Sequence, residues 1–145
     1  MKTKLIALTL LIASSLLAHE GVELGPNGGR ILEFSKNETM HGEVTAKDGN
    51  FLIAVLDKDM KPVAIEKQAL TATSADREKP QKLTVEVKDN RFVVPILKGD
   101  DYHVILQFKL TPEAKAITAR LHYNTSTCDT CKAPEWLCKC KHEKK

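Results

Sequence analysis

The chain has 145 residues, with 22 Lys and Arg against 19 Asp and Glu, and a formal net charge of +3 at pH 7. This length suits a single domain. The small net charge excludes the strongly basic surface that nucleic-acid binding requires, so we expect no nucleic-acid partner.

Residues 1–18 have the pattern of a secretory signal peptide. Two lysines stand among the first four residues, and an apolar run follows that ends on a small residue, Ala18. The run is too short to cross a bilayer, which takes about 20 apolar residues. We therefore predict cleavage before His19, a periplasmic or secreted location, and no membrane span in the mature chain.

Residues 19–30 form a glycine-rich segment. Gly25 stands before Pro26, and Gly28 and Gly29 are adjacent, so the backbone here can take angles that are closed to other residues. No G-K-[ST] sequence follows, which excludes a phosphate-binding loop. We predict a turn that leads into the first strand.

Residues 31–123 are dominated by short segments that alternate apolar and polar residues, and this period of two is typical of half-buried strands. The Asp48-Gly49 pair predicts a tight hairpin between the second and third strands. The clearest predicted strands are Arg30–Phe34, Gly42–Ala46, Phe51–Leu56, Leu83–Lys88, Phe92–Leu97, Tyr102–Lys109 and Ile117–Tyr123.

The segment between residues 57 and 80 is less regular, and we place edge strands at Val63–Ile65 and Gln68–Thr73. A capping threonine and a first-turn proline, Thr111 and Pro112, predict a short helical turn before the last strand. Seven to nine short strands separated by turns predict an all-β protein, an antiparallel, immunoglobulin-like β-sandwich.

Residues 124–145 are a polar, lysine-rich tail that holds all four cysteines of the chain, Cys128, Cys131, Cys138 and Cys140, in the spacing C-x2-C-x6-C-x-C. Two close pairs of thiolates are the usual ligands of a closed tetrahedral zinc site, and a compact set of soft ligands also suits copper(I). The four cysteines are thus candidate ligands of Zn or Cu, and His142 is a spare donor.

Disulfides are the alternative, because an exported chain meets an oxidising compartment. Bridges from Cys128 to Cys138 or Cys140 are easier than one that joins Cys138 to Cys140, whose ring is small and strained. Trp136, between the two cysteine pairs, is predicted to cover whatever they form.

Other candidate ligands are the histidines. Cleavage before His19 would leave an amine and an imidazole on one residue, a chelate for copper(II), but we favour the simpler interpretation of an untethered terminus. We expect His41, His103 and His122 to be solvated at strand edges or on outward faces. No serine has the context of a nucleophile, and the carboxylates are scattered over predicted strand exteriors and turns, so we expect the chain not to be an enzyme.

The segment Gly25-Pro26-Asn27-Gly28-Gly29-Arg30, together with Glu43–Ala46, Leu52–Asp57 and Lys61-Pro62-Val63, resembles a known family over residues 25–110. The family is the N-terminal periplasmic β-domain of membrane-fusion adaptor subunits in heavy-metal efflux pumps of the resistance-nodulation-division class. In that family a histidine often precedes the glycine pair, where this chain has Asn27. The sequence also has no pattern for the long helical hairpin of a full adaptor.

The resemblance implies a stand-alone metal-handling accessory domain in the cell envelope, with an efflux or metal-transfer protein as partner. Combined with the tail, it favours an exported protein that binds a soft transition metal, Zn or Cu, without turnover. The alternative is a non-catalytic structural or interaction sandwich whose tail is held by two disulfides.

Overall fold

The regular structure in the described residues, 22–76 and 78–140 of a computed structural model, is almost entirely β-strand. The strands are β1 (Arg30–Glu33), β2 (Met40–Lys47), β3 (Asn50–Asp57), β4 (Ala69–Ser74), β5 (Lys82–Leu83), β6 (Glu86–Lys88), β7 (Arg91–Pro95), β8 (Asp101–Lys109) and β9 (Ile117–Asn124). One short 3-10 helix, Glu135–Leu137, follows in the tail. Within the described ranges no helix has the length and apolarity needed to cross a bilayer.

The strands form two sheets, a five-stranded sheet in the order β1-β2-β3-β7-β6 and a four-stranded sheet in the order β5-β4-β8-β9. Every strand pair within them is antiparallel. The predicted all-β antiparallel sandwich is therefore confirmed.

The core lies between the two sheets and follows from the period of two. On β3, Phe51, Ile53 and Val55 are buried, and the residues between them are partly exposed. The rings of Phe34 and Phe108 stack across the interface with centroids 4.5 Å apart. Burial of each such side chain contributes about 1.5–3 kcal/mol to the free energy of folding. The alternating apolar residues therefore stabilise the packing of the two sheets against each other.

The β2–β3 hairpin closes as predicted. Lys47 pairs with Asn50, which leaves Asp48 and Gly49 as the two turn residues, and both have positive φ, 50° and 75°. Two positive φ angles are what a type I′ turn requires, and its twist matches that of the strands.

A continuous strand over Leu83–Lys88 was the wrong prediction. Leu83 belongs to β5 and pairs with Ala72 in the four-stranded sheet, whereas Val87 belongs to β6 and pairs with Phe92 in the five-stranded sheet. Leu83 is buried and Val87 is exposed. Alternation is the same for a straight strand and for one that leaves one sheet and joins the other, so the pattern cannot separate them.

The segment between residues 57 and 80 also differs in part from the prediction. Residues 63–65 are not a strand, and Pro62 makes only an isolated bridge with Leu56. The second predicted edge strand corresponds to β4, which lies between β5 and β8 and is not at an edge. At Thr111 the chain makes one turn, in which the Ala114 N–H donates to the Thr111 carbonyl at 3.0 Å, and no helix follows.

The glycine-rich segment is folded around a buried carboxylate on β2. Glu43 is 1% exposed and accepts hydrogen bonds from the Asn27 backbone N–H and side-chain amide, both at 2.7 Å, and from the Gly29 N–H at 3.1 Å. Gly29 lies so close to β2 that a Cβ there would be 2.5 Å from the Val44 carbonyl oxygen. The predicted turn is thus present, and Asn27 serves it as a donor to Glu43.

Candidate metal centre

The cysteine tail is anchored on the sandwich by Trp136. This residue is buried in the main core, where its ring meets those of Tyr123 and Phe51 at centroid distances of 5.3 and 6.3 Å. The sequence predicted that Trp136 would cover the cysteines, but the ring contacts that place it are with the sandwich. A tail fixed by a core tryptophan holds the cysteines that flank it in a defined position.

Backbone hydrogen bonds shape the rest of the tail. The Thr125 N–H donates to the Asp100 carbonyl at 2.8 Å, and the Glu135 N–H donates to the Ser126 carbonyl at 2.8 Å. At the opposite end of the described chain, the Val22 N–H donates to the Cys138 carbonyl at 3.1 Å. The tail is therefore hydrogen-bonded to the connection between β7 and β8 and to the N-terminal segment, and these contacts hold it against the rest of the protein.

The four cysteine sulfurs converge. Their Sγ atoms all lie within 4.8 Å of one another, and the sulfurs of Cys131 and Cys138 are 3.5 Å apart. Four thiolates around a tetrahedral zinc, with bonds of about 2.3 Å, have edges of about 3.8 Å. The tail therefore fits a metal ion of that size. No other group of three or more such donors converges in the described residues.

No disulfide is formed among these cysteines. The 3.5 Å separation of Cys131 and Cys138 is far longer than the covalent S–S distance of about 2.05 Å. The four sulfurs are not bonded to one another, so each can act as a metal ligand once it is deprotonated.

The first cysteine pair is held in a tight loop. The Cys128 N–H donates to the Ala133 carbonyl at 2.8 Å and the Lys132 N–H returns to the Cys128 carbonyl at 2.9 Å. Lys132 has φ of 62°, the left-handed conformation that closes this loop. The loop points the backbone N–H groups of Thr130 and Cys131 at the Cys128 sulfur. Spacing of x2 thus gives a chelating pair whose first sulfur is also a hydrogen-bond acceptor.

The second cysteine pair, Cys138 and Cys140, also contains a sulfur that accepts a backbone hydrogen bond. Cys138 ends the 3-10 helix and its N–H donates to the Glu135 carbonyl at 3.1 Å. The Cys140 N–H then donates to the Cys138 sulfur at 3.4 Å. One sulfur of each pair therefore receives backbone N–H groups, which disperse thiolate charge.

These contacts shift the pKa values of the thiols in different directions. The hydrogen bonds from the Cys131 backbone and the Cys138 side chain lower the pKa of Cys128 to about 6. Burial, and then the hydrogen bond with Cys128, raise the pKa of Cys138 to about 12. The hydrogen bond with Cys131 is the main cause that raises the pKa of Cys140. One thiolate is thus stabilised at neutral pH, and a bound cation would displace the protons of the others.

The solvent exposure of the four cysteines also differs. Cys128 and Cys138 are buried, at 0% and 3%, whereas Cys131 is exposed and Cys140 is half-buried. The site has an inner side of two cysteines against the sandwich and an outer side of two cysteines that solvent reaches.

The remaining candidates are separate from this centre. His19, His142 and the predicted signal peptide, residues 1–18, lie outside the described residues. The expectation of a solvated His41 is wrong, because this residue is 5% exposed and its Nδ1 lies 2.7 Å from a carboxylate oxygen of Glu33. His103 and His122 are partly exposed and stack on each other, a pairing that sequence reasoning missed because it depends on the register between β8 and β9.

Fold and site together define an antiparallel β-sandwich with a C-terminal tetracysteine centre that can hold a metal ion. In comparisons with known proteins, no family model, no curated protein and no solved structure matches the chain.

Proposed function

We propose that this protein binds one thiophilic metal ion, Zn²⁺ or Cu⁺, through Cys128, Cys131, Cys138 and Cys140. The observation that carries the proposal is the convergence of four thiol sulfurs within 4.8 Å of one another. Bound there, the ion would be held entirely by soft ligands, the set that favours Zn²⁺ and Cu⁺ over Mg²⁺ or Ca²⁺.

The surroundings of the sulfurs support this role. Four thiolates on Zn²⁺ carry a net charge of about −2, which needs compensation. Backbone N–H groups point at the sulfurs of Cys128 and Cys138, and two exposed lysines, Lys132 and Lys139, directly follow cysteines in the chain. Hydrogen-bond donors of this kind around metal ligands are a regular part of metal sites.

We further propose that the protein acts outside the cytoplasm as a non-catalytic metal-handling accessory of the cell envelope. The leader-like residues 1–18 support export, and the resemblance of residues 25–110 to the β-domain of heavy-metal efflux adaptors supports the envelope role. The two outer cysteines suit exchange of the ion with an efflux or metal-transfer partner, since solvent and incoming ligands can reach them.

Metal analysis of the native protein tests the binding. Protein isolated from its own compartment, with thiols protected during lysis, should carry one Zn or Cu per chain, and four thiols should become reactive only after chelation. The matched control is the variant with all four cysteines changed to Ser, which should lack this tightly held ion. Protein with neither metal nor titratable thiols, and a mass about 4 Da below the reduced value, would establish two disulfides instead.

A test of location is independent of the metal. Fractionation of the native host should find the protein outside the cytoplasm with His19 at its N-terminus. Retention of residues 1–18 in a cytoplasmic fraction would contradict the envelope role and leave the metal site unaffected.

A further inference from the structure

A second group of metal-ligating side chains lies on the outer face of the four-stranded sheet. His103 on β8 and His122 on β9 are direct cross-strand partners. Their rings are nearly parallel, 10° apart in plane, with centroids separated by 4.2 Å. Both side chains are partly exposed, and neither belongs to the cysteine centre.

A carboxylate fixes one of these rings. Asp101 lies two residues before His103 on the same face of β8, and its Oδ1 is 2.6 Å from His122 Nε2. Asp101 is well exposed, with 61% of its side chain accessible. A histidine whose one ring nitrogen donates to a carboxylate has its tautomer set, and its other nitrogen presents a lone pair. This is the arrangement that ligating histidines commonly have in metal sites.

We propose that His103 and His122 form a second metal site, for a divalent ion of borderline softness such as Zn²⁺, with Asp101 as the group that orients His122. Imidazole nitrogens bind such ions at about 2.0–2.1 Å, so one ion spans two nitrogens up to about 4 Å apart. The lone pairs of two nearly parallel rings point in parallel directions, so both rings must rotate out of the stack for their nitrogens to meet at one ion. Water completes the coordination on the exposed side.

Charged groups of both signs lie near the pair. Burial, followed by the neighbouring His122 and Arg120, lowers the pKa of His103. Arg30 also faces this region, since its guanidinium donates to the His122 carbonyl at 3.1 Å. These two arginines oppose a cation and Asp101 attracts it, so the site should be weaker than the cysteine centre.

The proposed pair differs from the cysteine centre in ligand chemistry. Nitrogen ligands suit Zn²⁺, Ni²⁺ and Cu²⁺, whereas the thiols suit Zn²⁺ and Cu⁺. A depression of about 400 Å³ reaches His103 and is also lined by the carboxylates of Asp76 and Asp101 and by Lys79 and Lys98. Small hydrated ions can therefore reach His103 directly from solvent.

Zinc titration of the intact chain at pH 7.5 tests the proposal. With the cysteine centre first filled with one equivalent of Zn²⁺, calorimetry should detect a second, weaker equivalent. His103→Gln and His122→Gln should each remove it, and Asp101→Asn should weaken it about 10- to 100-fold. The matched control is Thr118→Ala, an exposed position on the same face of β9, which should leave the second equivalent unchanged.

Two results would overturn the site: no second equivalent in the parent chain, or one that persists unchanged in both histidine variants. The latter would assign the ion to other groups such as His19. The test does not depend on the cysteine centre, because the same titration in the variant without cysteines should retain the weaker equivalent and lose only the tighter one. Circular dichroism of each variant confirms that the sandwich is intact.

Discussion

The sulfur of Cys131, on the exposed side of the tail, lies 3.5 Å from the sulfur of Cys138, which is buried against the sandwich. Two sulfurs at this separation are too far apart for a bond and close to the edge of a thiolate tetrahedron, about 3.8 Å. One sulfur of this pair belongs to the two solvent-accessible cysteines of the centre, and the other belongs to the two buried cysteines. Each half should therefore respond differently to substitution.

Loss of an inner sulfur should harm metal binding more than loss of an outer one. Cys128→Ser removes the sulfur that receives the Thr130 and Cys131 N–H groups, whereas Cys131→Ser removes an exposed sulfur that a water can replace. We expect the zinc affinity of Cys131→Ser to exceed that of Cys128→Ser at least tenfold, which corresponds to about 1.4 kcal/mol of binding free energy. Competition with a chromophoric chelator measures both. Equal losses would contradict the division into inner and outer halves.

Trp136→Ala should release the tail from the sandwich. Deletion of a buried tryptophan typically costs about 3–5 kcal/mol, and here it also removes the contacts with Phe51 and Tyr123. Urea denaturation should show the lower free energy of unfolding. In limited proteolysis the tail should be cleaved earlier than the sandwich. The control is Leu110→Ala, since Leu110 is 51% exposed and its loss should change stability by about 0.5 kcal/mol or less. A tail that stays resistant to protease would show that Trp136 is not its anchor.

Glu43→Gln should loosen the glycine-rich segment. Three donors, two on Asn27 and the N–H of Gly29, converge on the Glu43 carboxylate. An amide group offers one oxygen and turns two N–H groups toward them, so a buried donor is left unsatisfied, at about 1–3 kcal/mol. Amide hydrogen exchange at Gly29 and urea denaturation measure the effect. Glu86→Gln, on exposed β6, is the control and should be neutral.

The histidine pair should make stability depend on pH. The pKa of His103 is lowered in the folded chain, chiefly by burial and then by His122, so the unfolded chain binds a proton more readily. Its contribution is present above the unfolded pKa of about 6.5 and is lost as pH falls through the folded value. Urea denaturation of metal-free protein between pH 7.5 and 5 should show a smaller decline in His103→Gln than in the parent chain. NMR titration in which the His103 ring protonates above 6.5 would contradict the prediction.

The sequence alone was enough to predict the sandwich and to single out the four cysteines that converge in the structure. Alternation of apolar residues reports burial one strand at a time, and Asp48-Gly49 specifies its own turn, because both are local properties. Spacing x2 within the first cysteine pair likewise determines a chelating loop without reference to the sandwich.

Only the tertiary structure decided how these parts meet. The change of sheet between Leu83 and Val87, the burial of His41, and the stacking of His103 on His122 all depend on which strands pair and in what register. The docking of Trp136 against Tyr123 likewise joins residues of different elements and brings the tail onto the sandwich. Such contacts arise between segments whose separate patterns carry no information about one another, so the position of the cysteines against the core could be known only from the folded chain.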